Sequence, residues 1–334
     1  MLKNYFKIAI RNLWRHRGFS ILNIAGLAVG MSAFFLICQY VRFETSYDNF
    51  HSKSSRIYRL VTDLESTSAT QHSSSTSMPM AIHLKADYPD VEDIVRLNRQ
   101  GTLIRRGDIR FQEQATVFAD SSLFSIFDFP LVDGNAKTAL KAPFSVVLSQ
   151  STARKYFGDA DPMGKTLQFS DSGFTATVTG VMKDLPGNSS IKADLFVSMS
   201  TRKRFRDSLD YGWGRFGVTS YVLLRPGANP DALQAGLRPF IKKHIGEKMK
   251  AERQNYVLFL EPLKDTYWSS RGGFVSGNRS NVYIFSIIGL FILLIACINF
   301  VNLTTARAAE RAKEVGIRKV IGAGRFQLGG SVPG

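Results

Sequence analysis

Cysteine is scarce here, two residues in 334, and two long stretches carry no charge at all. Phe19 to Val41 and Val282 to Ala306 run 23 and 25 residues without one Asp, Glu, Lys or Arg. A bilayer core is about 30 Å thick, and roughly 20 helical residues cross it. The buried helix of a soluble domain is rarely so long and so evenly apolar, so both stretches are expected to span a membrane. Both cysteines, Cys38 and Cys297, fall inside them. If both ends of the chain lie on one side, the two thiols differ in depth by roughly 18 Å at 1.5 Å per residue. That excludes a disulfide between them. The intervening residues 42–281 have no cysteine, so this domain must be stabilised by core burial, as two subdomains.

Acids are missing ahead of the first stretch, where Lys3, Lys7, Arg11, Arg15 and Arg17 stand alone. After the second come Arg307, Arg311, Lys313, Arg318, Lys319 and Arg325 against only Glu310 and Glu314. Short basic flanks stay in the cytoplasm, while long loops cross largely regardless of charge. Both termini are therefore expected inside, with residues 42–281 outside. The net charge of +16 has the same origin in part. Its terminal excess fits topology and anionic-lipid contact, and the remainder is spread thinly, without the basic run of a nucleic-acid groove. The first stretch and its charged leader are too long for a cleaved signal peptide. Phe35, Leu36 and Ile37 before Cys38 do not fit a lipoprotein site, so an uncleaved anchor is expected.

Catalytic signatures are also lacking. His16, His51, His72, His83 and His244 form no metal-ligand spacing, and there is no GxSxG elbow. Gly158-Asp-Ala-Asp-Pro-Met-Gly164-Lys165-Thr166 resembles a phosphate loop, but five residues separate its glycines where four are required. Asp159 and Asp161 would repel phosphate and Pro162 removes a donor, so the segment reads as a turn entering a strand. A paired general acid and base among scattered carboxylates, as in a membrane-anchored hydrolase, leaves no recognisable trace. No catalytic residue, metal ligand or cofactor is assigned.

Residues 2–15 have an apolar stripe (Leu2, Tyr5, Phe6, Ala9, Ile10, Leu13, Trp14) and a basic face, the pattern of a helix in the inner headgroup layer. A contact with a cytoplasmic partner is the alternative. Gly26 and Gly30 make a GxxxG spacing that permits helix pairing, although glycine is common in membrane helices. The outer domain reads as mixed α and β. Strands are expected at 56–64, 91–97, 144–148, 174–181, 221–225 and 256–260, and helices at 78–88, 151–157 and 231–244. The Ser/Thr-rich stretch Ser66–Ser77 reads as a mobile loop.

Beyond the second stretch lies Glu314-Val-Gly316-Ile317-Arg318-Lys319-Val-Ile-Gly322-Ala. Here Gly316 permits a break, followed by a short helix that Gly322 ends. Such an element suits docking into a groove on a soluble partner. A solvated helix anchoring the span is the plainer reading, and physics alone leaves the two even.

This segment resembles the cytoplasmic coupling segment of the MacB-like and FtsX-like ABC transporter permeases. NYFKIAIRNLWRHRGFSILNIAGLAVGM resembles their opening. SVVLSQSTARKYFGDADPMGKTL and VTGVMKDLPGNSSIKADLFVSM are similar to their periplasmic core. The resemblance extends to about Leu328 and implies a fold class and a function. The fold would be an α+β periplasmic domain, a porter-like α/β part with a smaller subdomain inserted at about 110–215, held by two transmembrane helices. Residues 1–18 would be a cytoplasmic amphipathic helix, 19–41 and 282–306 the spans, 42–281 the periplasmic core, and 307–328 the coupling segment. A separate P-loop ATPase would dock on Glu314, Ile317, Arg318 and Lys319, with Gly316 and Gly322 shaping the element.

The tail at 329–334 departs from the family pattern and reads as the end of a fragment. The expected function is that of an inner-membrane permease subunit without catalysis of its own, coupling ATP hydrolysis to periplasmic work or efflux. Its implied partners are the ATPase, a second permease copy or homologue, a periplasmic adaptor or hydrolase, and the bilayer. The alternative is an FtsX-type regulator of cell-wall hydrolases that moves no cargo. A two-span sensor would need a cytoplasmic signalling domain in place of the 28 residues after Ala306.

Overall fold

The computed structural model describes residues 17–66, 69–171, 173–203 and 212–320, in two compact units. The expected helix at 2–15, Gly322 and the tail at 329–334 lie outside the described residues. The first unit holds two helices, α1 (Arg17–Glu44) and a C-terminal helix of 42 residues, Arg279–Val320. Ile24–Glu44 and Arg279–Asn302 are long and apolar enough to cross a membrane, by length and composition.

The second unit, Ser46–Gly277, is built on one sheet. Along the chain come β1 (Ile57–Glu65), β2 (Thr70–Ser73), β3 (Thr76–Ser77), α2 (Met78–Asp87), β4 (Val91–Arg106), β5 (Ile109–Ala119) and α3 (Leu123–Ile126). Then follow β6 (Leu131–Gly134), β7 (Ser145–Ser149), α4 (Gln150–Phe157), β8 (Thr166–Phe169), β9 (Phe174–Met182), β10 (Leu195–Ser198) and α5 (Ser200–Lys203). The unit closes with β11 (Phe216–Leu224), α6 (Pro230–Glu252), β12 (Asn255–Pro262) and α7 (Leu263–Thr266). Strand order is β12-β1-β11-β4-β5-β10-β7-β9-β6; β2 joins β1, β3 joins β11, and β8 bridges β4 and β9. The pairs β5–β10 and β7–β9 are parallel and the rest antiparallel.

Three cores serve this sheet. Leu84 of α2 and Leu237, Phe240 and Ile241 of α6 pack on Leu60, Val222 and Leu258 at one end. Tyr156 and Phe157 of α4 pack on Val146, Leu148 and Phe174 at the other. Between them, Val95, Val117, Phe127, Phe196 and Tyr221 form a central cluster. The core packed on α4, in the segment of the expected insertion at 110–215, takes in Ile104 of β4 as well, and Ser46–Gly277 is one compact unit. Local signals start the helices. Ser149 Oγ accepts the Thr152 amide at 3.2 Å to cap α4, and Asn229 Oδ1 accepts the Asp231 amide at 2.9 Å to cap α6.

Three expectations need correction. The Ser66–Ser77 stretch is not a plain loop: Thr70–Ser73 pairs with β1, and Thr76 Oγ1 meets Ser220 Oγ at 2.7 Å inside the sheet. Threonine's branched side chain favours strands, and its hydroxyl finds a buried partner. The strand expected at 91–97 continues to Arg106, because β4 and β5 form a ribbon whose turn residue Gly107 takes φ +59°. The break at Gly316 does not occur. The helix runs on to Val320, since one glycine costs a helix only about 1 kcal/mol among strong helix formers.

Candidate functional site: the helix pair and the extended C-terminal helix

Glycine lets two helices approach because it presents no side chain. The C-terminal helix (α8, Arg279–Val320) runs antiparallel to α1, as the contacts along the pair show. A Cβ on Gly30 would stand 3.4 Å from Ala296 Cβ, and one on Gly26 would stand 3.7 Å from Asn299 Nδ2. Gly289 answers from the other helix, where a Cβ would come within 3.1 Å of Ile37 Cγ2. Tyr40 and Phe285 close that end edge-to-face, with ring centroids 5.1 Å apart. Cys297 lies next to Ala296, level with Gly30, whereas Cys38 lies next to Ile37, level with Gly289; both are free thiols. Sequence reading had found Gly26 and Gly30 but missed Gly289, Ala296 and Asn299. Their small or compact side chains at the matching levels of the second stretch were the available signal.

At 1.5 Å per residue α8 is about 63 Å long, roughly twice a bilayer core. Its surplus carries Glu314–Lys319. Glu314, Gly316, Ile317, Arg318 and Lys319 all lie in this unbroken helix, which places positions 314, 317 and 318 on one face by spacing. Ile317 and Val320 are exposed, and a Cβ on Gly316 would meet nothing within 4 Å.

In the sheet-bearing unit, polar side chains gather around the first and last residues. Asp48, with φ +56°, is buried and accepts the Ser190 amide through Oδ1 at 2.9 Å. Burial pushes its carboxyl up, against the pull of the Ser190 bonds. His51 is buried too; its Nδ1 accepts the Asp128 amide at 3.0 Å, and burial pushes its imidazole down to about 4. Tyr47 stacks on Tyr267 with ring centroids 3.5 Å apart, and the Tyr267 carbonyl accepts the Gly277 amide at 2.7 Å. Gly277 leaves no room for a side chain, since a Cβ there would fall 2.2 Å from the Tyr267 ring. Burial opposes ionisation of Asp63, but bonds from Arg271 and His72 hold its carboxyl below the usual range. Among the described residues no three His, Cys, Asp or Glu side chains converge as metal ligands.

Comparison with known proteins places these parts. A family model for the MacB-like periplasmic core domain matches residues 20–240, and one for the FtsX-like permease C-terminal matches residues 286–332. The macrolide export ATP-binding/permease protein MacB of Neisseria meningitidis is 27% identical over 183 residues, covering 55% of this chain and 26% of that protein. MacB of Aggregatibacter actinomycetemcomitans is 26% identical over 188 residues. The chain thus spans about a quarter of the curated relatives it matches. Among solved structures, a domain of a putative permease protein from Porphyromonas gingivalis superposes with a TM-score of 0.57 at 25% identity, covering 71% of this chain and 98% of that one. The periplasmic region of MacB from Actinobacillus actinomycetemcomitans gives a TM-score of 0.46 at 16% identity, covering 63% and 90%. The matched core domain and the two apolar helices fit an inner-membrane protein. The chain belongs to the MacB-like and FtsX-like family of ABC transporter permeases.

Proposed function

We propose that this chain is a permease subunit through which ATP hydrolysis by a separate ATPase drives work or efflux on the outer side of the membrane. The observation that carries this reading is the continuity of α8. One helix joins the apolar span to the Glu314–Lys319 motif without a break, so movement at its cytoplasmic end is transmitted along the span. The exposed Ile317 supplies the apolar contact and the flanking charges supply orientation, the division of labour expected of a helix entering a groove. In this arrangement both termini are cytoplasmic, residues 42–281 lie in the periplasm, and catalysis belongs to the ATPase. A second permease copy completes the assembly, with an adaptor or hydrolase met outside.

The test is co-purification of the full chain with a co-expressed P-loop ATPase of the family. Glu314→Lys combined with Arg318→Glu should abolish the complex, and undiminished binding would overturn the assignment. The expected outcome of a second assay is ATP-dependent cargo release from sealed vesicles. Activation of a purified cell-wall hydrolase without such release would favour the regulator instead.

A further inference from the structure

The near-miss phosphate loop has no part in the reading above, yet it borders a strongly basic cleft. Lys165 and Thr166, at the entrance of β8, face the tip of the β4–β5 ribbon across a cavity of about 590 Å³. Arg105 and Arg106 come from the ribbon, Gln168 and Thr175 from β8 and β9, and neither a carboxylate nor an apolar side chain lines the space. Sheet register sets part of this in a row. Arg110 pairs with Arg105, Arg105 with Gln168, and Gln168 with Thr175, so two arginines and two neutral polar side chains stand side by side on one sheet face. Adjacent strands are about 4.8 Å apart, and like charges directly opposite each other destabilise a sheet.

The other two cations are held from behind. Phe157 lies 4.3 Å below the Arg106 guanidinium and 5.8 Å from Lys165 Nζ, and Arg106 Nη1 donates to the Tyr156 carbonyl at 2.9 Å. Arg105 Nε donates to the Gly107 carbonyl at 2.7 Å. Among the described residues none of these cations forms an ion pair. The acids in these turns are Asp108, Asp159, Asp161, whose Oδ1 accepts the Met163 amide, and Asp171, whose Oδ2 accepts the Leu103 amide; none of them lines the cleft. A second cavity, beside α2 and α3, differs in this respect. Its Asp93 is paired with Lys85 and its Asp120 with Arg96, both at 2.7 Å.

We propose that the cleft between the β4–β5 tip and the Gly164–Thr166 turn binds a small, fully polar polyanion bearing phosphate groups. Arg105 and Arg106 leave β4 on opposite faces and flank the cleft mouth from its two sides. Cations so fixed by carbonyls and an aromatic ring recognise clustered anionic oxygens, and the wholly polar lining offers nothing to an acyl chain. This site is independent of ATPase coupling, so its test needs no partner.

Binding of inorganic tripolyphosphate to the detergent-solubilised full chain is measured by calorimetry at two salt concentrations. Saturable binding that weakens with salt is expected, with at least a tenfold loss in Arg105→Gln/Lys165→Gln. The charge-matched control Arg238→Gln/Lys242→Gln, on α6, should bind as the parent does, and thermal melts check that each variant folds. Absence of saturable binding, or equal loss in both variants, would overturn the site. Displacement of tripolyphosphate by phosphatidylglycerol vesicles but not by glycerol phosphate would assign the cations to a lipid surface and overturn the soluble ligand.

Discussion

Arg59 and Glu261 are direct cross-strand partners on β1 and β12, and Arg59 Nε donates to Glu261 Oε2 at 2.8 Å. The arginine is 2% exposed, and its Nη1 also donates to the Gly272 carbonyl at 2.8 Å. Removing one partner of a buried pair strands the other charge, which costs about 3–5 kcal/mol. Glu261→Ala should therefore lower the melting temperature of the sheet-bearing unit markedly. The double change Arg59→Met/Glu261→Leu should recover most of the loss, because no unpaired charge then remains. A melt showing the single variant as stable as the parent would refute the assignment.

Acid should weaken the unit through His51. Its imidazole titrates near 4 in the folded protein against an ordinary value of about 6.5, so the unfolded chain binds the extra proton between those limits. Stability from this group is complete above about pH 6.5 and drains away as the pH falls toward 4, by about 3 kcal/mol in total. Denaturation followed from pH 7 to pH 4 should show this slope, and His51→Gln should flatten it. Asp63 and Asp87, both held below the usual carboxylate range, act in a lower window, losing their contribution as the pH drops through and below about 4.

Close approach of α1 and α8 can be captured chemically. Disulfides join Cβ atoms about 3.5–4.5 Å apart, and a Cβ on Gly30 would stand 3.4 Å from that of Ala296. In a chain with Cys38→Ser and Cys297→Ser, Gly30→Cys/Ala296→Cys should cross-link rapidly under mild oxidation in membranes. Gly289→Leu, which forces a side chain against Ile37, should slow that reaction severalfold. Equal rates with and without Gly289→Leu would show that this contact does not set the spacing.

Continuity of α8 through Gly316 makes opposite predictions for two substitutions. Gly316→Ala has open space and a better helix former, so coupling to the ATPase should persist and the helix should gain about 1 kcal/mol. Gly316→Pro removes an amide donor and clashes with the preceding turn, a cost of about 3 kcal/mol, and should uncouple ATP hydrolysis from the outer side. Stimulation of ATPase activity by the reconstituted permease reads both. Loss of coupling in the alanine variant would mean that the segment must bend.

The two apolar helices, the longer strands such as β1, β9 and β11, and the resemblance carried by Glu314–Ala323 were legible because each rests on a local pattern: unbroken apolarity, alternation, or a long motif. The short β2, β3, β6, β8 and β10 carry too few residues to show one. What escaped reading depends on partners distant in sequence. Thr76 looked like loop until Ser220 supplied its hydroxyl partner. The outer half of β4 was not anticipated because its partners, β5 and β8, and the core that takes up Ile104 come from later in the chain. Gly316 looked like a hinge, but a glycine's own preference is small beside the ladder on either side of it. Lys165 was judged by the phosphate-loop pattern it fails, while the arginines that give it meaning come from a ribbon about sixty residues earlier.

The stacking of Tyr47 on Tyr267 bears on how such a protein comes to exist. With Gly277 held at the Tyr267 carbonyl, the first and last residues of the sheet-bearing unit leave from nearly the same place. A segment whose ends meet can be added to or deleted from a helical hairpin at little topological cost. The unit's own ends are thus neighbours, the arrangement that lets a compact unit be inserted into another chain.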